Sequence, residues 1–216
     1  MSKGKDTRKR ILDVAQDSVL AKGFAATSID EIIAATGITK SGFFYHFKDK
    51  NVLAKALLNR YVAEDERVYD DVFGRAYALV DDPLQAFLLG LKLLSEVFAD
   101  LPNGHPGCLV AISCLADRSF DREVQDIGKQ AVLIWRRRFH AMIRDIVAVY
   151  PPREPVDIDQ LADMVSTVLE GGIIMSKALK KPEVLVQQTL VLRTFVKMLF
   201  DPQSAARRSP IAQASV

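Results

Sequence analysis

A chain of 216 residues with 49% apolar and 26% charged side chains can bury its own core without disulfides or a metal. Its 29 basic and 27 acidic residues nearly cancel, but the first ten hold Lys3, Lys5, Arg8, Lys9 and Arg10 against Asp6 alone, a basic arm that suits a polyanion. Apolar stretches fall short of the ~18 residues of a membrane span, and Asp13 and Asp17 interrupt the segment a secretory leader would need.

The two cysteines, Cys108 and Cys114, sit in what reads as one helix, so no disulfide is expected between them. The expected compartment is the reducing cytoplasm. Helical periodicity runs through nearly the whole chain and strand alternation is never sustained, which predicts an all-α fold. Residues 6–21 form the first helix, with Ile11, Leu12, Ala15 and Val19 on one face and Gly23 where a helix stop belongs. Thr27, with Asp30 three residues on, reads as the cap of a second short helix whose inner face is Ile29, Ile32 and Ile33. A turn at 35–38 carries Gly37, and a third helix covers 39–46.

Asp49 caps a long fourth helix bearing Val52, Leu53, Ala56, Leu57 and Tyr61, expected to end or bend near Gly74. Asp82-Pro83 opens a helix that runs to about residue 99. After a loop at 101–107 come a short apolar helix at 108–116 and a long one at 121–149, closed by Pro151-Pro152. The last two helices are 158–179 and 183–200. Residues 202–216 lack any apolar period and read as a disordered tail.

Helix, tight turn with Gly37 and short second helix make a helix-turn-helix arrangement. The third segment exposes Thr39, Lys40 and Ser41 in its first turn, all hydrogen-bond donors. A recognition helix presents such N-terminal residues to base edges in the major groove. Phe43 and Phe47, four apart, share the face that anchors it, while Phe44, Tyr45 and His46 are left to cover the groove edge. Lys50 is placed to reach a phosphate. The partner expected is therefore double-stranded DNA. A helical protein–protein adaptor is the alternative, and it needs no basic arm beside a recognition helix. Gly-x-Ser-x-Gly, P-loop, dinucleotide and His-Glu-x-x-His signatures are all missing from the sequence. The three histidines at 46, 105 and 140 have no metal-ligand spacing. No enzyme, metal or cofactor is expected.

Gly23, Phe24, Thr27, Ser28, Ile32, Gly37, Ile38, Thr39, Lys40, Tyr45, Phe47 and Lys50 form an ungapped pattern within residues 7–55. It resembles the DNA-binding domain of TetR-type one-component transcription regulators. The resemblance implies Thr27 and Lys50 as phosphate contacts, Thr39, Lys40 and Ser41 as base-edge readers, and Tyr45 and His46 as the remaining groove-facing residues, with Ser28 also at the DNA. Phe44 departs from the tyrosine common in the family, which replaces a phenolic phosphate contact by an apolar one, to a thymine methyl for example.

Beyond the headpiece, the last two helices are apolar on more than one stripe. Leu161, Val165, Leu169, Ile173, Ile174 and Leu179 mark the first, and Leu185, Leu190, Val191, Phe195, Met198 and Phe200 the second. One face is expected on the domain and the other on a second copy, a homodimer that would double the bases read on a palindrome. The resembled family forms a four-helix dimer interface from these two helices. Phe98, Cys108, Leu109, Trp135, Phe139 and Met175 are the candidate effector-binding residues, with Cys108 at the start of its helix as a thiol open to electrophiles. Its Gly107-Cys108-Leu109 setting resembles a TetR subgroup, some of whose members respond to electrophiles through such a thiol; Cys114 reads as core. The expected organisation is a DNA-binding domain at 1–50, a helical ligand-binding and dimerisation domain at 51–201, and the tail. The expected function is a ligand-responsive repressor released from a palindromic operator by a small apolar or electrophilic molecule.

Overall fold

Capping side chains set most helix starts in the computed structural model, which describes residues 3–116 and 120–200. The order is α1 (Lys3–Ala26), α2 (Ile29–Thr36), α3 (Lys40–His46), α4 (Lys50–Leu79), α5 (Pro83–Ala99), α6 (Leu109–Leu115), α7 (Arg122–Val149), α8 (Ile158–Leu179) and α9 (Glu183–Phe200). The described residues are helical with no strand among them, so the fold is all-α. The expected tail at 202–216 lies outside the described residues.

Regular helix breaks at Gly23, whose φ of 82° and ψ of 164° are closed to most side chains. Asp82 accepts from the Gln85 amide at 2.8 Å and Asp157 from the Gln160 amide at 2.9 Å, each fixing a helix start. Two local expectations need correction. Ser28 rather than Thr27 caps α2, accepting from the Glu31 amide at 3.1 Å. Helix α4 runs through Gly74 without a stop. One glycine costs a helix about 1 kcal/mol, and burial of its neighbours Val72, Phe73 and Ala76 outweighs that.

By packing, the described residues fall into two compact units, those within Met1–Val68 and His105–Trp135, and those within Tyr69–Gly104 and Arg136–Val216. In the first unit, Ile11, Leu12, Ala15 and Val19 of α1 meet Ile32, Phe43, Phe47, Leu53, Leu57 and Leu109 in one core. Arg60 of α4 donates to Asp13 at 2.7 Å and to Gln16 at 2.6 Å, tying α4 to α1. Lys55 holds Asp121 at 3.0 Å and also Glu123, which ties α4 to the start of α7. Val52, expected on the inner face of α4, is exposed.

The second unit is built on Phe73, stacked against Phe87 at 5.7 Å and edge-on to Phe139 at 6.0 Å. Helix α9 packs between α5 and α8 there, and Arg193 of α9 donates to the Leu88 carbonyl at 3.0 Å. Tyr150 donates to Asp82, so the end of α7 is fastened to the cap of α5.

Candidate nucleic-acid interface

The corner that aims α3 is made by two residues. Gly37 takes the left-handed conformation (φ 64°, ψ 29°), and its amide bonds the Ala34 and Ile33 carbonyls. Thr36 beside it is buried and donates to the Ile32 carbonyl at 2.6 Å, so no polar group is stranded under the turn. Thr39 then caps α3, accepting from the Gly42 amide at 3.1 Å, and its hydroxyl also lies 3.1 Å from that of Ser41.

Phe43 and Phe47 are fully buried and fix the inner face of α3. Thr39, Lys40, Ser41 and Phe44 are exposed, and Tyr45 is 84% exposed. His46 is half-buried, its ring edge-on to Tyr45 at 5.0 Å. Lys40 has only a distant acid, Asp30 at 3.9 Å, both groups in water; such a pair holds the ammonium weakly.

The structure separates the two threonine–serine neighbours before α2. Ser28 is exposed at the cap. Thr27 is 2% exposed, and its hydroxyl donates to the Gly23 carbonyl at 2.9 Å and lies 3.1 Å from Ser18. A hydroxyl so committed offers no surface to a phosphate. Lys50 is half-buried with its ammonium 3.5 Å from the Ala25 carbonyl, and burial pushes it below the ordinary lysine range. A void of about 10 Å³, room for one water, lies beside it under Phe24, Ile32 and Leu57.

Comparison with known proteins bears on this arrangement. The family model described as "Bacterial regulatory proteins, tetR family" matches residues 11–57, the span from the first buried residue of α1 into α4. Over that span the chain is similar to the DNA-binding domain of the TetR family. It is 28% identical over 182 residues to the transcriptional regulator AcuR of Cereibacter sphaeroides, covering 81% of this chain and 76% of that one. Similarity to the regulator AcrR of Shigella flexneri is 44% over 48 residues, 22% of each chain. The fold resembles the regulatory protein TetR from Rhodobacter sphaeroides, with a TM-score of 0.72 at 23% identity over 88% of this chain and 97% of that one.

The chain is thus similar to transcriptional regulators, and the adaptor alternative is not favoured. None of its helices is long and apolar enough to cross a membrane among the described residues. Its candidate effector residues are divided between the two units. Cys108, Leu109 and Trp135 belong to the first unit, and Phe98, Phe139 and Met175 to the second. Leu109 and Phe139 are fully buried, Phe98 and Trp135 half-buried, and Met175 is 48% exposed. Cys108 is 7% exposed and caps α6, its sulfur accepting from the Ala111 amide at 3.4 Å. Cys114, expected in the core, is exposed. Six residues of helix turn about 600°, leaving the two thiols about 120° apart, a signal the sequence already carried.

On the last two helices the exposed apolar residues fall at helical spacing. Ile174, Met175 and Leu179 lie on α8, and Val191, Phe195 and Met198 on α9.

Proposed function

We propose that this regulator is a homodimeric repressor that reads a palindromic operator with α3 and leaves it when a small apolar or electrophilic molecule binds. The observation that carries the reading is the division of α3. Phe43 and Phe47 are spent on the core while Thr39, Lys40, Ser41 and Tyr45 face out. Ser28, at the start of α2, and Lys50, which keeps further protons to donate, are the backbone contacts of this reading; Phe44 supplies the apolar one and His46 the edge. In function the division falls at residue 50, DNA contact before it and ligand response with dimerisation over 51–201.

The apolar stripes of α8 and α9 support self-association, since 174, 175 and 179 fall on one face, as do 191, 195 and 198. Two copies of α3 then meet successive half-sites about one helical turn apart. The effector shifts α4, which starts at Lys50, and so changes the separation of the two α3 helices. A few kcal/mol of preference for one conformation suffices. Cys108 is the residue assigned to an electrophile.

Competitive binding to a library of duplexes tests the assignments. Lys40→Ala relaxes base preference, whereas Lys50→Ala weakens all sequences alike and lowers the salt dependence. Two variants indistinguishable from wild type would remove both residues from the interface.

A further inference from the structure

We infer that Arg8 is a backbone-phosphate contact, carried by the ring of Phe47 to the C-terminal end of α3. The inference rests on the DNA reading above and adds α1 to the interface. The Arg8 guanidinium carbon lies 5.0 Å from the centroid of the Phe47 ring. Phe47 is the C-terminal cap of α3 and is fully buried, so the platform is fixed in the core and its upper face is the cation's seat. From there the row continues outward through His46, 6.5 Å from Phe47, to exposed Tyr45.

The cations of this unit divide in two. Lys9, Lys22, Lys55 and Arg60 each meet an acid within 3.0 Å, and Lys22, Lys55 and Arg60 fasten one helix segment to another. Arg8, exposed, meets no acid among the described residues. A guanidinium held over an aromatic ring by the ring's quadrupole does not spend its N–H groups on that contact, so they stay available to a phosphate. The contact also removes part of the rotamer entropy that a free arginine loses on meeting a phosphate. The strands bordering a groove occupied by α3 bring phosphates to the end of that helix, where Arg8 stands already oriented.

The test uses the whole chain and a mixed-sequence duplex of about 30 base pairs, titrated between about 50 and 200 mM salt. Arg8→Met keeps an apolar cover on Phe47 and drops the charge, Arg8→Gln is a second uncharged variant, and Arg8→Lys keeps the charge. Lys9→Met, whose ammonium is held by Asp13, is the control. The expected result is a salt slope lower by about 0.9 per bound protomer for both uncharged variants. A fourfold rise in salt then costs them about 3.5-fold less affinity per protomer than wild type. Arg8→Lys and Lys9→Met keep the wild-type slope. If wild type binds and the uncharged variants show its slope, the inference is overturned and the DNA reading stands. If wild type binds no duplex at low salt, both are overturned.

Discussion

Two adjacent glycines in α8 offer a test in which the same substitution has opposite consequences. A methyl added at Gly172 would sit 2.9 Å from Leu185 Cδ1, 3.4 Å from Leu185 Cα and 3.5 Å from Gln188 Cβ, all on α9. Leu185 is buried and has no solvent to swing into. Overpacking of this kind costs about 1–3 kcal/mol, against about 1 kcal/mol gained from helix propensity. Gly172→Ala is therefore neutral to destabilising by about 2 kcal/mol. At Gly171 the added methyl meets nothing within 4 Å, so within one protomer Gly171→Ala stabilises by about 1 kcal/mol. If the exposed stripe of α8 is where a second copy docks, that methyl stands in the way of its backbone. Association then weakens by about tenfold or more. Urea unfolding at several protein concentrations separates the two effects, because dimer linkage makes the midpoint concentration-dependent; sedimentation velocity reads association directly. Equal stabilisation by both substitutions would refute the packing argument. Unaltered self-association in Gly171→Ala would remove this face of α8 from the interface.

Ser28→Ala deprives the Glu31 amide of its acceptor and should lower stability by about 1 kcal/mol, read from the urea midpoint. The hydrogen bond from Arg136 at 2.6 Å holds the Asp163 carboxyl below its ordinary value of 3.8. A depressed carboxylate contributes stability above its unfolded value, and that contribution disappears as pH falls through the folded one. Wild type and Asp163→Asn should therefore differ at neutral pH and converge below about pH 3.8; parallel midpoints across the titration would contradict the pair's role. Cys108→Ser keeps an acceptor for the Ala111 amide, so it should retain stability and DNA binding while losing release by an alkylating agent. Release unchanged in that variant would exclude Cys108 as the sensor.

The local signals carried far. Asp82 before Pro83 accepts from an amide three residues on, the Gly37 amide reaches back to carbonyls three and four residues away, and α8 and α9 occupy the residues their periodicity marks. The buried face of α1, Ile11, Leu12, Ala15 and Val19, was equally legible from a 3.6-residue repeat. Thr27 and Ser28 were harder to tell apart. Both are capping residue types, and their roles were decided by Gly23, whose carbonyl takes the Thr27 hydroxyl.

The sequence by itself determined most helix starts, and that one short helix shows donors on one side and phenylalanines on the other. Those properties depend on neighbours within a turn. Only the tertiary structure decided that Met175 faces outward, that Arg60 reaches back to Asp13, and that Arg8 rests on Phe47. Each depends on contact with a distant segment or on whether a second layer covers the residue. Burial and long-range pairing are set by which helices come to lie together, and a helix's own repeat says which faces are apolar without saying what each one meets.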